Sequence, residues 1–226
     1  MIKIKFTITL LLILNAITAF TQTINLVENN KWKGYGFSNH TGKVVPDSLF
    51  AISEGIVHLA GPHPGYLMSD DVFSDFELTA EFRWVKEPGE PYAKKKKNSG
   101  LMYYVPVEQS DTLWPKGIQF QIKEKSTGDF ILLQGVILIV NDSVYGPGRS
   151  VVVKKIKDAE LAPGEWNSIK IIADGEKCDQ YLNGVLVNHG EQSSEKKGRI
   201  LLQFEGYPID FRNIKLVPFL NNNKND

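Results

Sequence analysis

Apolar and polar residues alternate strictly over several stretches of the chain. Between Phe76 and Trp84, every second side chain is apolar, and Glu77, Thr79, Glu81 and Arg83 fill the positions between them. Ile118, Phe120 and Ile122 alternate in the same way with Gln119, Gln121 and Lys123, and further strand-like segments lie at residues 101–105, 169–173 and 200–204. Successive side chains of a strand point to opposite faces, whereas a helical face repeats about every 3.6 residues. The pattern therefore predicts half-buried strands, each with one apolar and one polar face.

A tight hairpin is predicted near the end of the chain. Gln180–Leu182 leads into Asn183-Gly184, and Val185–Val187 follows directly. Both central residues of the favoured two-residue turn need positive φ, which asparagine and glycine tolerate best. We therefore expect two antiparallel strands joined at Asn183 and Gly184.

The pattern as a whole predicts an all-β fold, an antiparallel two-sheet sandwich of about ten to fourteen strands. Only residues 69–73 and 154–161 could hold a helical turn or two. In a sandwich, one sheet turns a face to solvent, and a curved sheet offers an extended ligand a trough.

The first 21 residues predict a cleaved secretory signal peptide. Lys3 and Lys5 precede the apolar run Ile8–Ile17, and Ala19 and Thr21 are small residues at the positions that a signal peptidase inspects. The alternative is a single membrane anchor, for which this run is short because a span needs about 20 residues. We expect cleavage before Gln22, a single β-sandwich domain at 22–220, a polar tail at 221–226, and a periplasmic or secreted protein without a stable membrane anchor after cleavage.

Composition excludes several classes of function. Lys and Arg total 26 and Asp and Glu total 26, so the chain lacks the basic surplus of nucleic-acid-binding proteins. Hydrophobic residues make up 42%, which excludes global disorder. The single cysteine, Cys178, excludes an intrachain disulfide and a cysteine-based zinc site, and we expect it to pack as a small hydrophobic residue.

Familiar catalytic motifs are missing from the sequence. There is no P-loop, dinucleotide-binding, zinc-protease or nucleophile-elbow motif. The four histidines are not spaced as a metal-binding pair, and we expect surface or turn positions for His40, His58, His63 and His189.

Polar residues that share a strand face are the candidate site. Glu81 and Arg83 share one face of their strand, Gln119 and Gln121 share another, and Gln203 and Glu205 a third. Carboxylates, amides and arginine suit a sugar, whose hydroxyls both donate and accept hydrogen bonds. The aromatic residues that could stack on a sugar are Tyr103, Tyr104, Trp114 and Tyr207. The alternative is a set of ordinary solvent-facing strand residues, with Glu81 and Arg83 a surface pair worth less than about 1 kcal/mol.

An ordered series of short motifs carries a family resemblance. The series comprises Gly65-Tyr66-Leu67, Asp75–Trp84, Asn98-Ser99-Gly100, Trp114–Gln121, Gly128-Asp129-Phe130, Pro163–Asn167, Leu182–Val185, Leu202–Gly206 and Phe211–Ile214. In this order it resembles the 3-keto-disaccharide hydrolase domain family, although its Leu-Asn-Gly and Gly-Glu-Trp motifs also occur in other lectin-like sandwiches. The resemblance covers nearly the whole chain after residue 21.

The resemblance implies a jelly-roll sandwich of the concanavalin A-like lectin/glucanase type, and extracytoplasmic work on carbohydrates. It also implies cleavage of glycosides that carry a ketone at sugar carbon 3. That ketone acidifies the hydrogen on carbon 2, so a base can remove it and the enolate can expel the glycosidic oxygen. Such a site needs a base, an acid for the leaving oxygen and hydrogen-bond donors for the enolate.

The chain departs from the family pattern at Gln119, where relatives commonly carry a glutamate that could act as a base. Glutamine cannot. By motif position we expect Glu205 as base or acid, Glu81 as its partner and Arg83 as a charge stabiliser. Substrate hydroxyls would be oriented by Gln119, Gln121, Gln203 and Asn98, with Tyr103 and Trp114 as further substrate contacts. The side-chain oxygens of the glutamate, asparagine and glutamine residues would also suit a hard divalent cation, although no dense acidic cluster requires one.

Two further classes of function stay open. A non-catalytic carbohydrate-binding module of the same fold would show a shallow trough with exposed aromatic residues. A sandwich that only mediates protein contacts would show a flat apolar patch. An enzyme of the expected kind would bring two carboxylates together in one pocket.

Overall fold

The fold is known from a computed structural model that describes residues 22–28, 31–38, 42–44 and 49–219. All regular structure within these ranges is β, in eighteen strands. The strands are β1 (Ile24–Asn25), β2 (Trp32–Ser38), β3 (Gly42–Val44), β4 (Phe50–Ser53), β5 (Ile56–Leu59), β6 (Gly65–Ser69), β7 (Phe76–Trp84), β8 (Asn98–Val105), β9 (Gly117–Lys123), β10 (Phe130–Leu133), β11 (Leu138–Val140), β12 (Ser143–Tyr145), β13 (Ser150–Val153), β14 (Asn167–Asp174), β15 (Lys177–Leu182), β16 (Val185–Gly190), β17 (Arg199–Phe204) and β18 (Ile209–Pro218).

The strands form two eight-stranded antiparallel sheets and one small hairpin. Sheet I has the order β16-β15-β14-β7-β18-β5-β4, and β1 pairs with β18 at its side. Sheet II has the order β13-β10-β9-β8-β17-β6-β2-β3. The hairpin consists of β11 and β12. Strands adjacent in a sheet are often distant in sequence, as a jelly-roll sandwich requires.

The apolar faces of the two sheets meet in one core. In β7 the residues Phe76, Leu78, Ala80, Phe82 and Trp84 are buried, and they belong to the same cluster as Phe120 and Leu202 of sheet II. A fully buried side chain of this size contributes about 1.5–3 kcal/mol relative to its exposed state. The period-two pattern therefore fixes which face of each sheet turns inward.

The structure confirms the predicted fold class and corrects its details. Asn183 and Gly184 have φ values of 50° and 78° and connect β15 to β16, as the hairpin signal predicts. The strand count exceeds the expected range because several strands have only two or three residues, too short to leave a periodic signal. Residues 69–73 and 154–161 hold no helix. The expected signal peptide, the polar tail and His40 lie outside the described residues.

Among the described residues, no helix is long and apolar enough to cross a membrane. Cys178 is fully buried on β15, as expected for a packed hydrophobic residue.

A second apolar cluster lies on the outer face of sheet II, away from the main core. Met102, Leu201 and Leu113 belong to this cluster, and Trp114, which like Leu113 comes from the loop between β8 and β9, packs against it. Tyr66 and Phe37 lie on the same face, with ring centroids 5.5 Å apart. The outer face of sheet II is therefore partly covered by a loop, whereas an ordinary solvent face would be open.

Candidate functional site

Glu205 lies on the outer side of sheet II, directly after β17. Its neighbour Phe204 points into the core and Gln203 points outward, so the alternation of β17 directs Glu205 to the outer side as well. Its two carboxylate oxygens receive different donors. Asn98 donates its side-chain amide N–H to Oε2, and the indole N–H of Trp114 donates to Oε1 over 3.2 Å. These donors come from β8 and from the β8–β9 loop, and they fix the orientation of the half-buried carboxylate.

The side chains of Gln119 and Gln121 form a polar floor beside this carboxylate. Both are buried, and Nε2 of Gln119 donates to Oε1 of Gln121 over 2.6 Å. Gly100 on β8 lies beneath them. A Cβ at Gly100 would be 2.4 Å from Nε2 of Gln119, so the absence of a side chain there makes room for the amide.

Gln203 completes the floor and is fully buried. It lies opposite Gly100 of β8 and Tyr66 of β6. Neither its amide nitrogen nor its amide oxygen has a hydrogen-bond partner among the described residues. Buried amides are nearly always hydrogen-bonded to protein, water or ligand. Because these amide atoms are fully buried, a small polar molecule reaches them only if neighbouring side chains move.

Two polar residues of this face were not predicted. The hydroxyl of Tyr66 donates to Oδ1 of Asp111 over 3.3 Å. Burial raises the pKa of Tyr66 well above that of a free phenol, and the negative charge of Asp111 adds to the effect. Tyr66 is therefore a neutral donor at physiological pH. The Gly65-Tyr66-Leu67 motif was the sequence signal for Tyr66, whereas Asp111 lies in the loop between β8 and β9, where no local pattern marks it.

Tyr103 does not belong to this face, which corrects the expectation that it stacks on a sugar. It shares the inner face of β8 with Leu101 and is completely buried in the sandwich core. Its hydroxyl accepts a hydrogen bond from Gln180 of sheet I over 3.2 Å. The reason is parity along the strand, because residues two apart point to the same side.

Glu81 and Arg83 do not meet Glu205, which corrects the expected three-residue centre. Both lie on the outer face of sheet I, with the core between them and sheet II. Arg212 and Asn213 of β18 donate hydrogen bonds to Oε2 of Glu81. Arg83 donates through Nε to Oδ2 of Asp210 over 2.8 Å. Each therefore has a partner on its own sheet.

The predicted residues that do converge are Asn98, Trp114, Gln119, Gln121, Gln203 and Glu205. We call this set the amide site. One carboxylate, one indole donor and four amides can hold a neutral polyhydroxylated molecule and supply one base. No group of three or more His, Cys, Asp and Glu side chains that could hold a metal ion occurs in the described ranges. The oxygens available to a hard cation are those of Glu205 and the unpartnered amide oxygens of Asn98 and Gln203.

Solved structures with a similar fold include proteins named for work on carbohydrates. A putative glycosyl hydrolase from Parabacteroides distasonis is 19% identical, with a TM-score of 0.59 over 88% of this chain and 100% of that one. A carbohydrate-binding module from Bacillus subtilis is 16% identical, with a TM-score of 0.56 over 79% of this chain and 97% of that one. The Bacillus licheniformis beta-glucanase is 11% identical, with a TM-score of 0.57 over 90% of this chain and 100% of that one. At these identities the likeness shows the shared fold.

A comparison with curated proteins gives no significant match. The model of the 3-keto-alpha-glucoside-1,2-lyase-like domain matches residues 20–217, which span both sheets and every residue of the amide site. The chain therefore belongs to the 3-keto-alpha-glucoside-1,2-lyase-like domain family.

Proposed function

We propose that the protein is a secreted carbohydrate-active enzyme that cleaves 3-keto-glycosides at the amide site, with Glu205 as the base. The observation that carries the proposal is the arrangement around Glu205. Its carboxylate is held by Asn98 and Trp114 beside a floor of buried amides. Family membership supports the reaction class.

The reaction needs one well-placed base. The Glu205 carboxylate removes the proton from carbon 2, and the electrons of that C–H bond move to form an enolate with the carbonyl at carbon 3. The enolate then expels the glycosidic oxygen from carbon 1. The leaving oxygen takes a proton, for which the newly protonated Glu205 is a source. The products are a 1,2-unsaturated 3-keto sugar and a free alcohol, and addition of water across the double bond gives the hydrolysed sugar.

In this proposal the amide side chains supply the hydrogen-bond donors that the developing charge requires. An enolate is stabilised by hydrogen-bond donors that are already oriented before the reaction. The Gln203 amide has no hydrogen-bond partner among the described residues, whereas the single hydroxyl proton of Tyr66 is already donated to Asp111. Gln119 binds without acting as a base, because its amide does not titrate. In this proposal Glu205 takes over the proton transfer that a glutamate at position 119 could perform in relatives.

A second candidate is a non-catalytic carbohydrate-binding module with the same site. The observation that favours it is the location of Glu81 on the other sheet, which leaves Glu205 without the predicted carboxylate partner. The neutral Gln119 favours it as well. A binding module needs the hydrogen-bonding groups and the Trp114 indole but no base.

The experiment uses the protein without residues 1–21 and a panel of glycosides in native and 3-keto form, each with and without a chelator. Released alcohol is the readout. We expect turnover of the keto forms alone, and a loss of roughly 100-fold or more in Glu205→Gln, in the range of general-base contributions. The matched control is Glu81→Gln, the same change on sheet I, which retains turnover.

The outcomes separate the two candidates. Binding of the sugars without turnover would rule out the enzyme and favour the carbohydrate-binding module. Turnover that persists in Glu205→Gln would remove Glu205 from its role. We also propose export through the first 21 residues, and a mature N-terminus at Gln22 in material recovered from outside the cytoplasm is the expected result.

A further inference from the structure

A chain of hydrogen bonds crosses four strands on the outer face of sheet I, on the opposite side of the core from the amide site. The hydroxyl oxygen of Ser53 lies 3.1 Å from Nε2 of His58. Nδ1 of His58 lies 2.7 Å from Oδ1 of Asp210. Arg83 donates through Nε to the second oxygen of Asp210 over 2.8 Å. Four side chains thus form one continuous row.

Strand register builds this row. His58 of β5 lies directly opposite Asp210 of β18, and Asp210 lies opposite Arg83 of β7. Ser53 is the last residue of β4, two positions beyond Ala51, the residue that pairs with His58. Residues two apart share a face, so Ser53 is a diagonal neighbour of His58. The row therefore depends on backbone pairing as well as on side-chain rotamers.

The row also fixes the tautomer of the histidine. The Asp210 carboxylate is buried, with 6% of its side chain exposed, and it accepts hydrogen bonds from both sides. A carboxylate facing Nδ1 keeps the proton there, which leaves the lone pair of Nε2 to accept the serine hydroxyl proton. Serine, histidine and aspartate in this order, at these distances, are the groups of a serine nucleophile and its base.

We propose that Ser53, His58 and Asp210 form a second catalytic site, in which Ser53 is the nucleophile toward esters of short acyl groups. Arg83 is a positioning residue that holds Asp210. Proteins use this constellation on unrelated folds, so it is recognised by geometry and not by chain order.

The turn after Ser53 offers a backbone donor for an oxyanion and adjoins a cavity. Glu54 and Gly55 have φ values of 50° and 74° and form the two-residue turn between β4 and β5. Among the described residues, neither turn residue donates a backbone hydrogen bond outside the strand ladders. The N–H of the residue after a nucleophile is a common donor to the oxyanion, and Glu54 holds that position. A cavity of about 200 Å³ adjoins the turn, lined by Glu54, Gly55 and Ile56 and by Arg212 of β18.

Ser53 is exposed, and neither Ser53 nor His58 lines this cavity, which begins at the turn beside Ser53. Its volume of about 200 Å³ is smaller than the roughly 300–1,000 Å³ typical of pockets for drug-sized ligands. Only an acyl group of a few carbons that extends from Ser53 past the turn would fit there, so the proposal is for acetyl and similar short-chain esters.

The reaction balances with water as the only co-reactant. The Ser53 oxygen bonds to the ester carbonyl carbon while His58 takes the hydroxyl proton. The bond from that carbon to the alcohol oxygen breaks, and the alcohol leaves with the proton from His58. Water, activated by His58, then hydrolyses the acyl-serine to a carboxylic acid and regenerates Ser53.

The test uses diisopropyl fluorophosphate, with the labelled residue identified by peptide mass spectrometry. Attack by Ser53 forms an oxygen–phosphorus bond and breaks the phosphorus–fluorine bond. We expect the label on Ser53 of the full protein, no label there in Ser53→Ala, and a labelling rate roughly 100-fold lower in His58→Gln. Hydrolysis of p-nitrophenyl acetate should fall in parallel and exceed hydrolysis of p-nitrophenyl octanoate.

The matched control is Ser168→Ala, which removes an exposed hydroxyl from β14 of the same sheet, where the hydroxyl contacts Asn183 and no histidine. This variant should label and hydrolyse like the original protein. Absence of label on Ser53, or labelling within about threefold of normal in a folded His58→Gln protein, would overturn the proposal. Because the test does not use sugars, its result is independent of the amide site.

Discussion

The indole N–H of Trp114 donates to Oε1 of Glu205 over 3.2 Å, although the two residues are 91 positions apart in the chain. Trp114 belongs to the loop that covers the outer face of sheet II, and its backbone carbonyl accepts a hydrogen bond from Gln134 over 3.1 Å. The loop is therefore hydrogen-bonded both to the connection between β10 and β11 and to the carboxylate that we propose as the base.

Replacement of Trp114 by phenylalanine tests the hydrogen bond between the indole and Glu205. Phenylalanine keeps most of the apolar contact but removes the N–H, and a hydrogen bond to a charged group contributes about 1.5–3 kcal/mol. We expect kcat/KM for a 3-keto-glycoside to fall roughly 10- to 100-fold. Trp166→Phe, directly before β14 of sheet I, where Arg83 and Arg212 lie over the indole ring, should leave it unchanged. An unaltered kcat/KM in a folded Trp114→Phe protein would show that the indole does not position Glu205.

Gly100 and Gln119 compete for the same space. The Cβ of an alanine at position 100 would lie 2.4 Å from Nε2 of Gln119, so Gly100→Ala must displace the glutamine amide. We expect a loss of about 1–3 kcal/mol in the free energy of unfolding, as for other overpacked sites, together with weaker sugar binding. Urea denaturation of Gly100→Ala, Gln119→Ala and the double variant gives the coupling. The alanine at position 100 should cost little in the Gln119→Ala background, and equal costs in both backgrounds would contradict the displacement.

Cys178 should be inert in the folded protein. Burial raises the pKa of its thiol to about 12, so the reactive thiolate is scarce at neutral pH. We expect a disulfide reagent such as dithionitrobenzoate to react at pH 8 about a thousandfold more slowly in buffer than in urea. Because the folded pKa exceeds the unfolded value of about 8.5, stability should fall as pH rises above that value. Rapid labelling without denaturant would place Cys178 outside the core.

Glu160 should make the folded state less stable as pH rises toward neutral. It lines a cavity of about 400 Å³ together with Trp84, and burial raises the pKa of its carboxyl. The folded protein therefore binds the proton more tightly than the unfolded chain, whose glutamate pKa is about 4.3.

Glu160→Gln removes that titration. Relative to the original protein, we expect this variant to gain stability as pH increases from about 4.3 to neutral. Urea denaturation across this range measures the effect, and the matched control is Glu165→Gln, at an exposed position nearby. A difference between Glu160→Gln and the original protein that does not change with pH would contradict the assigned cause.

Local signals predict much of the fold because they need no knowledge of distant pairing. The alternation in β7 decides which of its residues face the core, and the Asn183-Gly184 turn sets the first pairs of β15 and β16, before the register shift between Gln180 and Tyr181. The same parity argument places Gln119 beside Gln121. It also places Tyr103 with the core residues, since Leu101 and Tyr103 are two positions apart. The period of two was therefore sufficient to exclude Tyr103 from the sheet face.

Long-range pairing limits what the sequence can predict about the site. Glu81 and Glu205 both occupy outward positions, and nothing near either residue shows that β7 and β17 belong to different sheets. For the same reason the row of Ser53, His58, Asp210 and Arg83 on sheet I cannot be predicted from the sequence. His58 and Asp210 are 152 positions apart and meet only through the β5–β18 pairing. Residue type and face can be inferred from local pattern, but the partners of a side chain depend on strand order.

Glu205 belongs to the four-residue connection 205–208 that takes the chain from β17 in sheet II to β18 in sheet I. Its carboxylate is fastened to sheet II through Asn98, while its backbone leads directly into the opposite layer. If one sheet slides over the other by a fraction of an ångström, the position of this carboxylate therefore changes directly. Core substitutions far from any sugar, such as Phe82→Leu or Phe211→Leu, should therefore lower turnover as well as the melting temperature.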